Sequence, residues 1–367
     1  MSAVPVRSRA SLDHGAKREG PPVKGRLTMR STLAGGFALL LSSLVVGAGS
    51  GAYAISASQL VGVFGALWQG GADPSPEYLV FVNIRLPRLV LGVAAGAGLG
   101  MAGTLMQGLF RNPLADPGLI GISSGAALAA GVTIVLGAWL LPALPRTLGS
   151  WTLVSMAFGG GFLVTLLIYG LSRSEGSTRM ALMLLAGIAI NALAGAGLGF
   201  LSVMATDEQL RSLQFWLLGS LGGARWSAVL LVGVIVCIAL CAGLTLAAPL
   251  NAIALGEAQA TLLGVDVERV KRRAILVTAF AVGAVTATTG IIGFVGLIAP
   301  HWVRLVAGPD HRVVLPGSAL LGAVLVLAAD TVARTAMAPT ELPLGVLTAF
   351  IGVPMFLLML RHFRGRL

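Results

Sequence analysis

Very few side chains in this chain have the type and spacing that catalysis or metal binding requires. The four histidines are scattered along the sequence, at His14, His301, His311 and His362. Cys237 and Cys241 lie one helical turn apart within an apolar run, where we expect small buried side chains rather than a disulfide or a metal site. We therefore expect no catalytic residues and no bound metal in this chain.

The apolar segments also contain almost no ionisable residues. Asp330 and Arg334 are four residues apart near the outer end of one segment, a spacing at which they can pair with each other. Carriers driven by ion gradients usually keep carboxylates or histidines inside the membrane, so this sequence argues against a stand-alone secondary transporter. It also has no G-x-x-x-x-G-K-[ST] phosphate loop, so we expect ATP and Mg²⁺ to bind to partner subunits and not to this chain.

The composition indicates a membrane protein. Of the 367 residues, 56% are hydrophobic and only 11% are charged, and the mean hydropathy is +0.91. A soluble domain of this length could not cover so much apolar surface. The net charge of +11 comes from residues between the apolar runs, which fits membrane-flanking arginines and not a nucleic-acid-binding surface.

The spacing of the apolar runs predicts an all-α protein with ten transmembrane helices. The runs lie near 32–54, 89–110, 118–142, 149–171, 180–203, 227–247, 273–290, 291–306, 314–333 and 342–360. Residues 1–30 are basic and rich in Pro, Ser and Gly, so we expect a disordered tail before a membrane domain at 31–367.

The positions of the basic residues predict the orientation. Six of the 25 Lys and Arg residues fall in segments between runs on the outer side: Arg85, Arg88, Arg146, Arg211, Arg225 and Arg334. The other 19 fall on the inner side. This bias predicts that both termini are cytoplasmic and that the number of spans is even.

Three features of the second span and of the turn after it suggest a mechanism. Gly92, Gly96 and Gly100 form a smooth face, which favours tight helix packing and, as an alternative, a lining for a substrate path. Asn112-Pro113-Leu114 interrupts the chain at the inner end, either as an ordinary turn or as a constriction of the path. The polar residues Gln107 and Asn191 are further candidates for the path.

Two segments between spans have helical character. The inner segment 249–273 places apolar residues at helical spacing around Gly264, which predicts two short amphipathic helices that dock on a partner protein. The outer segment 205–227 carries Trp216 and Trp226, which we interpret as interfacial anchors. A short helix lying across the outer mouth is the alternative for this segment.

The ordered motifs of residues 80–367 resemble those of the FecCD-type permeases, which import ferric siderophores, heme and cobalamin. The chain reads RLPR, then QGLFRNPLADP and SSGA, then FWLLGSL, LGEAQATLLGV, GFVGLIAPHWVRL, DHR, LPG and ELPLGVLTAFIGVPMF. The resemblance implies the type II ABC importer fold with ten helices. It also implies a homodimer, two ATPase subunits inside, a binding protein outside, and no enzymatic activity in this chain.

The resemblance also implies roles for individual residues. Arg85, Arg88 and Arg334 match arginines that dock the binding protein. The ATPase-coupling motif matches Gly256, Glu257, Ala260, Leu263 and Gly264. The cytoplasmic gate matches Asn112 and Leu114, and Met180 and Ala181 are its candidates before the fifth span, where SEGSTRMALMLL departs from the family pattern.

Together these observations predict a multi-pass permease of a bacterial inner membrane, surrounded by lipid and without nucleic-acid partners. The expected substrate is an iron chelate, with heme first and a ferric siderophore second. Cobalamin is the alternative within the same family.

Overall fold

The computed structural model describes residues 26–51, 53–69, 75–140, 143, 148–149, 151–174, 176–338 and 340–364. Its first helices are α1 (Met29–Gly49), α2 (Ala57–Trp68), α3 (Pro76–Leu109), α4 (Ile122–Leu140) and α5 (Trp151–Leu171). A hairpin of β1 (Arg173–Ser174) and β2 (Ser177–Thr178) follows, and then α6 (Met180–Met204) and α7 (Asp207–Leu218).

The second half of the chain is also helical. It contains α8 (Trp226–Leu244), α9 (Ala247–Ala254), α10 (Glu257–Leu262), α11 (Val267–Thr289), α12 (Val295–Ala307), α13 (His311–Thr335) and α14 (Leu344–Arg364). The prediction of a helical membrane protein is therefore confirmed, apart from the small hairpin.

Eight helices among the described residues are long and apolar enough to cross a membrane: α1, α3, α4, α5, α6, α8, α13 and α14. The two other predicted spans, 273–290 and 291–306, are not among these eight helices for physical reasons. The run 273–290 belongs to α11, whose first turns are charged, and the run 291–306 forms α12, which has only 13 residues. The short apolar helix α2 is not among the predicted spans, because its 12 residues are too few to cross a bilayer.

The disordered tail predicted for residues 1–30 overlaps the start of α1. Residues 1–25 lie outside the described part of the chain, but Met29 and Arg30 already belong to α1. The Thr28 hydroxyl caps this helix by accepting a hydrogen bond from the Ser31 amide. The amide of Leu27 donates to the carbonyl of Val306, which fixes the start of α1 against the end of α12.

Helix α3 is the centre of the bundle, and its glycine face packs directly on α13. A Cβ atom on Gly96 would lie 2.3 Å from the Gly322 carbonyl oxygen, and one on Gly100 would lie 2.0 Å from that of Ser318. The backbones of α3 and α13 therefore touch, as small residues allow in membrane bundles. The packing interpretation of these glycines is correct, and the face that a substrate would need is filled.

The start of α3 lies well before the predicted start of the second span at residue 89. The helix begins at Pro76 with a Ser75 cap, and Phe81–Arg85 forms a π-helical turn within it. Proline is tolerated at the first helical positions, where its missing donor is not needed. As a result, Arg85 and Arg88 lie on a helix and not in a loop.

The two cysteines are not buried. Cys237 and Cys241 are exposed on α8 and form no disulfide. The opposite face of α8 supplies the buried residues Val232, Val236 and Ala239. The prediction of buried cysteines is wrong because α8 is peripheral and only one of its faces packs inward.

Candidate functional site

The predicted docking residues and the predicted coupling residues lie at two different ends of the bundle. Among the described residues, no group of three or more His, Cys, Asp or Glu side chains could hold a metal ion. One end carries α9, α10 and the β1–β2 hairpin, and we call it the α10 end. The other carries Arg85, Arg88 and Arg334, and we call it the Arg88 end.

At the α10 end, two glycines shape the predicted coupling segment. Gly256 has φ 126° and precedes α10, and Gly264 has φ 82° and follows it. Both values are in the region that favours glycine. The predicted break at Gly264 is confirmed, but a second break at Gly256 leaves only six residues in α10, and the helix after Gly264 is the long α11.

The short helix α10 is buried on one side, and three exposed leucines lie at its two ends. Ala260 is fully buried against the core. Leu255, Leu262 and Leu263 are 67%, 88% and 65% exposed, and we call these three residues the leucine patch. Clustered large apolar side chains on a surface helix are typical of a surface that binds a partner.

The hairpin before α6 is held by two charged side chains of α11, one of which also binds α10. Glu268 accepts hydrogen bonds from the Thr178 amide, at 2.9 Å, and from the Thr178 hydroxyl. Lys271 Nζ donates to the Thr178 carbonyl oxygen at 2.9 Å and to Glu257 Oε2 at 2.7 Å. Burial alone would raise the pKa of Glu268, but the bonds from Thr178 and the charge of Lys271 outweigh it and lower this pKa.

The predicted gate residues lie near this hairpin and at the turn after α3. Asn112 Oδ1 accepts a hydrogen bond from the Leu114 amide at 2.9 Å, which closes a tight turn after Arg111, whose φ is 50°. Met180 begins α6 and is partly buried against the core, whereas Ala181 is exposed. The chain therefore forms a hydrogen-bonded turn at Asn112, and the gating role stays a prediction.

The two polar residues predicted for the path have partners within the bundle. Gln107 is buried, donates to the Gly296 carbonyl oxygen at 3.2 Å and accepts a hydrogen bond from Arg304. Asn191 is half-buried, accepts from the Ser124 hydroxyl at 2.5 Å and donates to the Gly118 carbonyl oxygen at 3.3 Å. Both side chains tie helices together, and only Asn191 is partly accessible.

At the Arg88 end, an ion-pair network joins α3, α13 and Glu341, which lies in the segment before α14. Arg88 donates to Glu341 through both terminal nitrogens at 2.9 Å, and it also pairs with Asp330 at 2.9 Å. Arg334 pairs with the same Asp330 at 3.1 Å, so the predicted Asp330–Arg334 pair is confirmed. Arg85 donates to the carbonyl oxygens of Ala48 and Tyr53.

This network alters the interpretation of the three predicted docking arginines. Arg85, Arg88 and Arg334 are 4%, 6% and 7% exposed. Their guanidinium groups hold the ends of α1, α3 and α13 together and are not free surface charges. Glu341 is the accessible member, since 44% of its side chain is exposed.

Sequence reasoning missed the partners that come from distant parts of the chain. Arg88 and Glu341 are 253 residues apart, and Lys271 and Thr178 are 93 apart. Lys271 was visible only as one of several inner basic residues. A partial signal existed for Glu341, because it stands alone as an acid before the last apolar run.

Comparisons with known proteins agree along most of the chain. A model of the FecCD transport family matches residues 26–362. The hemin transport system permease protein HmuU of Yersinia pestis is 44% identical over 335 residues, which cover 91% of this chain and 96% of that protein. The cobalamin import system permease protein BtuC of Halobacterium salinarum is 42% identical over 288 residues, or 78% of this chain and 75% of that protein.

A solved structure extends this agreement to the fold. It is described as an inward-facing conformation of a metal-chelate type ABC transporter, and it superposes with a TM-score of 0.78 at 30% identity. The superposition covers 91% of this chain and 99% of that one. Both the α10 end and the Arg88 end lie within the residues that the family model matches.

Proposed function

The chain belongs to the FecCD transport family, and from this premise we propose that it is the permease subunit of an ATP-driven importer of an iron chelate. In this proposal two copies form the membrane unit, each with ten membrane-crossing helices and with both termini in the cytoplasm of a bacterium. Two ATPase subunits bind inside and a binding protein docks outside. The chain itself has no enzymatic activity, and ATP and Mg²⁺ bind to the ATPase subunits.

The observation that carries this proposal is the leucine patch on α10. Leu262 ends the six-residue helix α10 and Leu263 follows it, whereas Leu255 lies directly before Gly256. Gly256 and Gly264, both with positive φ, flank the helix. Exposing the three leucines to water is unfavourable, since burying a leucine side chain is worth about 1.5–3 kcal/mol. A groove on an ATPase subunit is the partner that family membership supplies for this patch. Gly256, Glu257, Ala260, Leu263 and Gly264 form the coupling segment in this proposal.

Transport then proceeds by alternating access without chemistry in this chain. Nucleotide bound by the ATPase subunits supplies the differential affinity that a change between two states requires. Motion of α10 reaches the turn at Asn112 and Leu114 and the start of α6 at Met180 and Ala181, which act as the cytoplasmic gate. Because α13 fills the glycine face of α3, the exposed side of α6 is a better wall for the path.

We further propose that the Arg88 end receives the binding protein. An acidic group on that protein would compete with Glu341 for Arg88 and would add a ligand to a site that also holds Arg85 and Arg334. Charge pairs at such a rim set orientation and association rate more than final affinity.

Heme is the substrate that we propose first. The support is the 44% identity to a hemin permease over nearly the whole chain, together with the FWLLGSL segment (residues 215–221). A ferric siderophore is the second candidate. Cobalamin remains the alternative, because a cobalamin permease is 42% identical over a shorter length.

Uptake into proteoliposomes tests this proposal. The chain would be purified with its ATPase and its binding protein and reconstituted with ATP or ADP inside the vesicles. We expect hemin to accumulate only with ATP, and cyanocobalamin and a ferric siderophore to compete poorly. Uptake of cyanocobalamin but not hemin would show that the proposed substrate is wrong. Uptake driven by an ion gradient in the absence of the ATPase would show that the chain is not part of an ATP-driven importer.

A substitution in the leucine patch tests the observation that carries the proposal. Leu262→Glu places a charge at the most exposed leucine, and we expect ATPase association to weaken about tenfold or more. Gln259→Glu adds the same charge to the same helix and is the matched control. Equal association for both variants would remove the docking role of the patch.

A further inference from the structure

We infer that Lys271 and Glu268 are positioning residues that tie the coupling helix α10 to the β1–β2 hairpin and thereby to the start of α6. We call the four residues Thr178, Glu257, Glu268 and Lys271 the Thr178 clamp. This inference rests on the proposed function, because it specifies how motion of α10 reaches the gate.

The clamp binds every polar group of Thr178. Its amide and hydroxyl donate to the two carboxylate oxygens of Glu268, and its carbonyl oxygen accepts from Lys271. Tyr169 adds a longer hydrogen bond to Glu268 at 3.4 Å. The hairpin therefore cannot move relative to the first turn of α11 without breaking three hydrogen bonds.

The second half of the clamp reaches α10. Lys271 is only 3% exposed, and its ammonium group also binds Glu257, the first residue of α10, at 2.7 Å. A single buried cation thus joins the hairpin to the helix that carries the leucine patch. Charge-assisted hydrogen bonds of this kind are stronger than neutral ones and restrict geometry more tightly.

The clamp is placed where it can act on α6. Thr178 is two residues before Met180, the first residue of α6. The Arg179 amide donates to the Ser172 carbonyl oxygen at 3.0 Å, which closes the base of the hairpin. Because the hairpin is short and closed, a displacement of Thr178 is transmitted to the beginning of α6.

Neighbouring charges do not substitute for Lys271. Arg269 pairs with Asp266 at the start of α11. Arg272 and Arg273 follow Lys271 directly but are exposed, whereas Lys271 is buried. The preceding and following basic residues therefore provide matched controls on the same helix.

The test compares Lys271→Met with Arg272→Met, since each removes one positive charge from neighbouring positions of α11. Both variants would be reconstituted with the ATPase and the binding protein. We expect Lys271→Met to keep assembly and ATP hydrolysis but to lower the amount of hemin transported per ATP about fivefold or more. Arg272→Met should keep the wild-type ratio. A wild-type ratio in Lys271→Met would overturn the inference.

A measurement without transport separates this inference from the proposed function. Spin labels at Ser177→Cys on the hairpin and Ala258→Cys on α10, in a chain with Cys237 and Cys241 changed to Ala, report the distance between the two elements. We expect a narrow distribution for the full chain in nanodiscs, a broad one with Lys271→Met and a narrow one with Arg272→Met. Equal widths would overturn the clamp even if the wild type transports hemin.

Glu268→Gln is a second, milder variant that tests the clamp if Lys271→Met does not fold. It keeps the size of the side chain and one acceptor for Thr178, but it removes the charge that faces Lys271. We expect a smaller broadening than with Lys271→Met, in a variant that still unfolds in one cooperative thermal transition. If Glu268→Gln leaves both the distance distribution and the hemin-to-ATP ratio unchanged, the carboxylate has no part in the clamp.

Discussion

At the scale of single residues, the Arg88 network shows what local spacing reveals. The pairing of Asp330 with Arg334 was predictable because the two residues are one helical turn apart. The pairing of Arg88 with Asp330 and Glu341 was not, because these residues approach each other only when α3 and α13 pack. The separation of the paired residues along the sequence therefore limited the prediction of ion pairs more than the residue types did.

Glu341 offers a sharper test of docking than the arginines. Removing Arg88 would leave the buried Asp330 short of a partner, and breaking a buried pair typically costs about 3–5 kcal/mol. Glu341→Gln instead frees Arg88 for an acidic group on the binding protein. We expect the binding protein to bind about three- to tenfold more tightly at low salt, by surface plasmon resonance on nanodiscs.

The salt dependence distinguishes docking from a purely structural network. The gain in affinity of Glu341→Gln should shrink as salt screens the exposed charges. Arg225→Gln, at an exposed position that the charge bias predicts to be on the outer side, serves as a control for general charge effects. If Glu341→Gln leaves the affinity unchanged at every salt concentration, Arg88 does not contact the binding protein.

The same residue gives a prediction for pH. The hydrogen bonds from Arg88 lower the pKa of Glu341 and outweigh burial, which acts in the opposite direction. A group with a lowered folded-state pKa stabilises the fold above its unfolded pKa and loses this contribution as pH falls through the folded value. The wild type should therefore unfold at a higher temperature than Glu341→Gln at pH 7.

At about pH 3.5 this difference should become smaller, because Glu341 is then increasingly protonated in both the folded and the unfolded chain. Thermal unfolding of the two proteins in detergent, followed by intrinsic tryptophan fluorescence, measures the change. A difference that grows as pH falls would contradict the direction assigned to this pKa.

At the scale of the elements, hydropathy located most long helices, and glycine spacing located the close contact between α3 and α13. Helices α5 and α6 begin and end within two residues of the predicted runs. The hairpin and α10 were harder to predict because each has only a few ordered residues. Their shape depends on contacts with Glu268 and on glycine φ values, which hydropathy does not record.

The contact between α3 and α13 should not tolerate a methyl group. Gly100→Ala would place Cβ 2.0 Å from the Ser318 carbonyl oxygen, so one backbone has to shift. Overpacking of this kind typically costs about 1–3 kcal/mol. We expect a lower unfolding temperature by fluorescence-detected size-exclusion chromatography. Gly233→Ala on α8, where no atom lies within 4 Å, is the matched control and should be neutral.

At Gly264, a substitution should have its effect through the backbone conformation and not through a steric clash. No atom lies within 4 Å of a Cβ at this position, but φ is 82°, and a left-handed conformation costs an L residue about 1–2 kcal/mol. Gly264→Val should therefore keep the chain folded while changing the angle between α10 and α11. We expect ATP hydrolysis with reduced hemin uptake in proteoliposomes, and normal coupling would contradict the proposed role of this turn.

At the scale of the whole molecule, exposed apolar faces have to meet either lipid or a second copy of the chain. Helices α1, α6 and α14 have the smallest buried shares of the spans in the described chain, at 17%, 17% and 22%. Exposure alone does not choose among them. The Thr178 clamp favours α6, because the clamp connects α10 to the start of α6. A helix that moves with the ATPase can affect transport only if it borders the path between two copies.

We therefore expect α6, and not α1, to face the second copy. In a chain with both cysteines changed to Ala, Leu193→Cys on α6 and Phe37→Cys on α1 place thiols at positions that are 66% and 61% exposed. A membrane-permeant bis-maleimide should join two copies through Leu193→Cys, doubling the 37.4 kDa band on denaturing gels. Phe37→Cys should stay monomeric because lipid surrounds it. Crosslinking through Phe37→Cys alone would place α1 at the interface between the two copies. The α6 helix, which the coupling segment is proposed to move, would then not border the path.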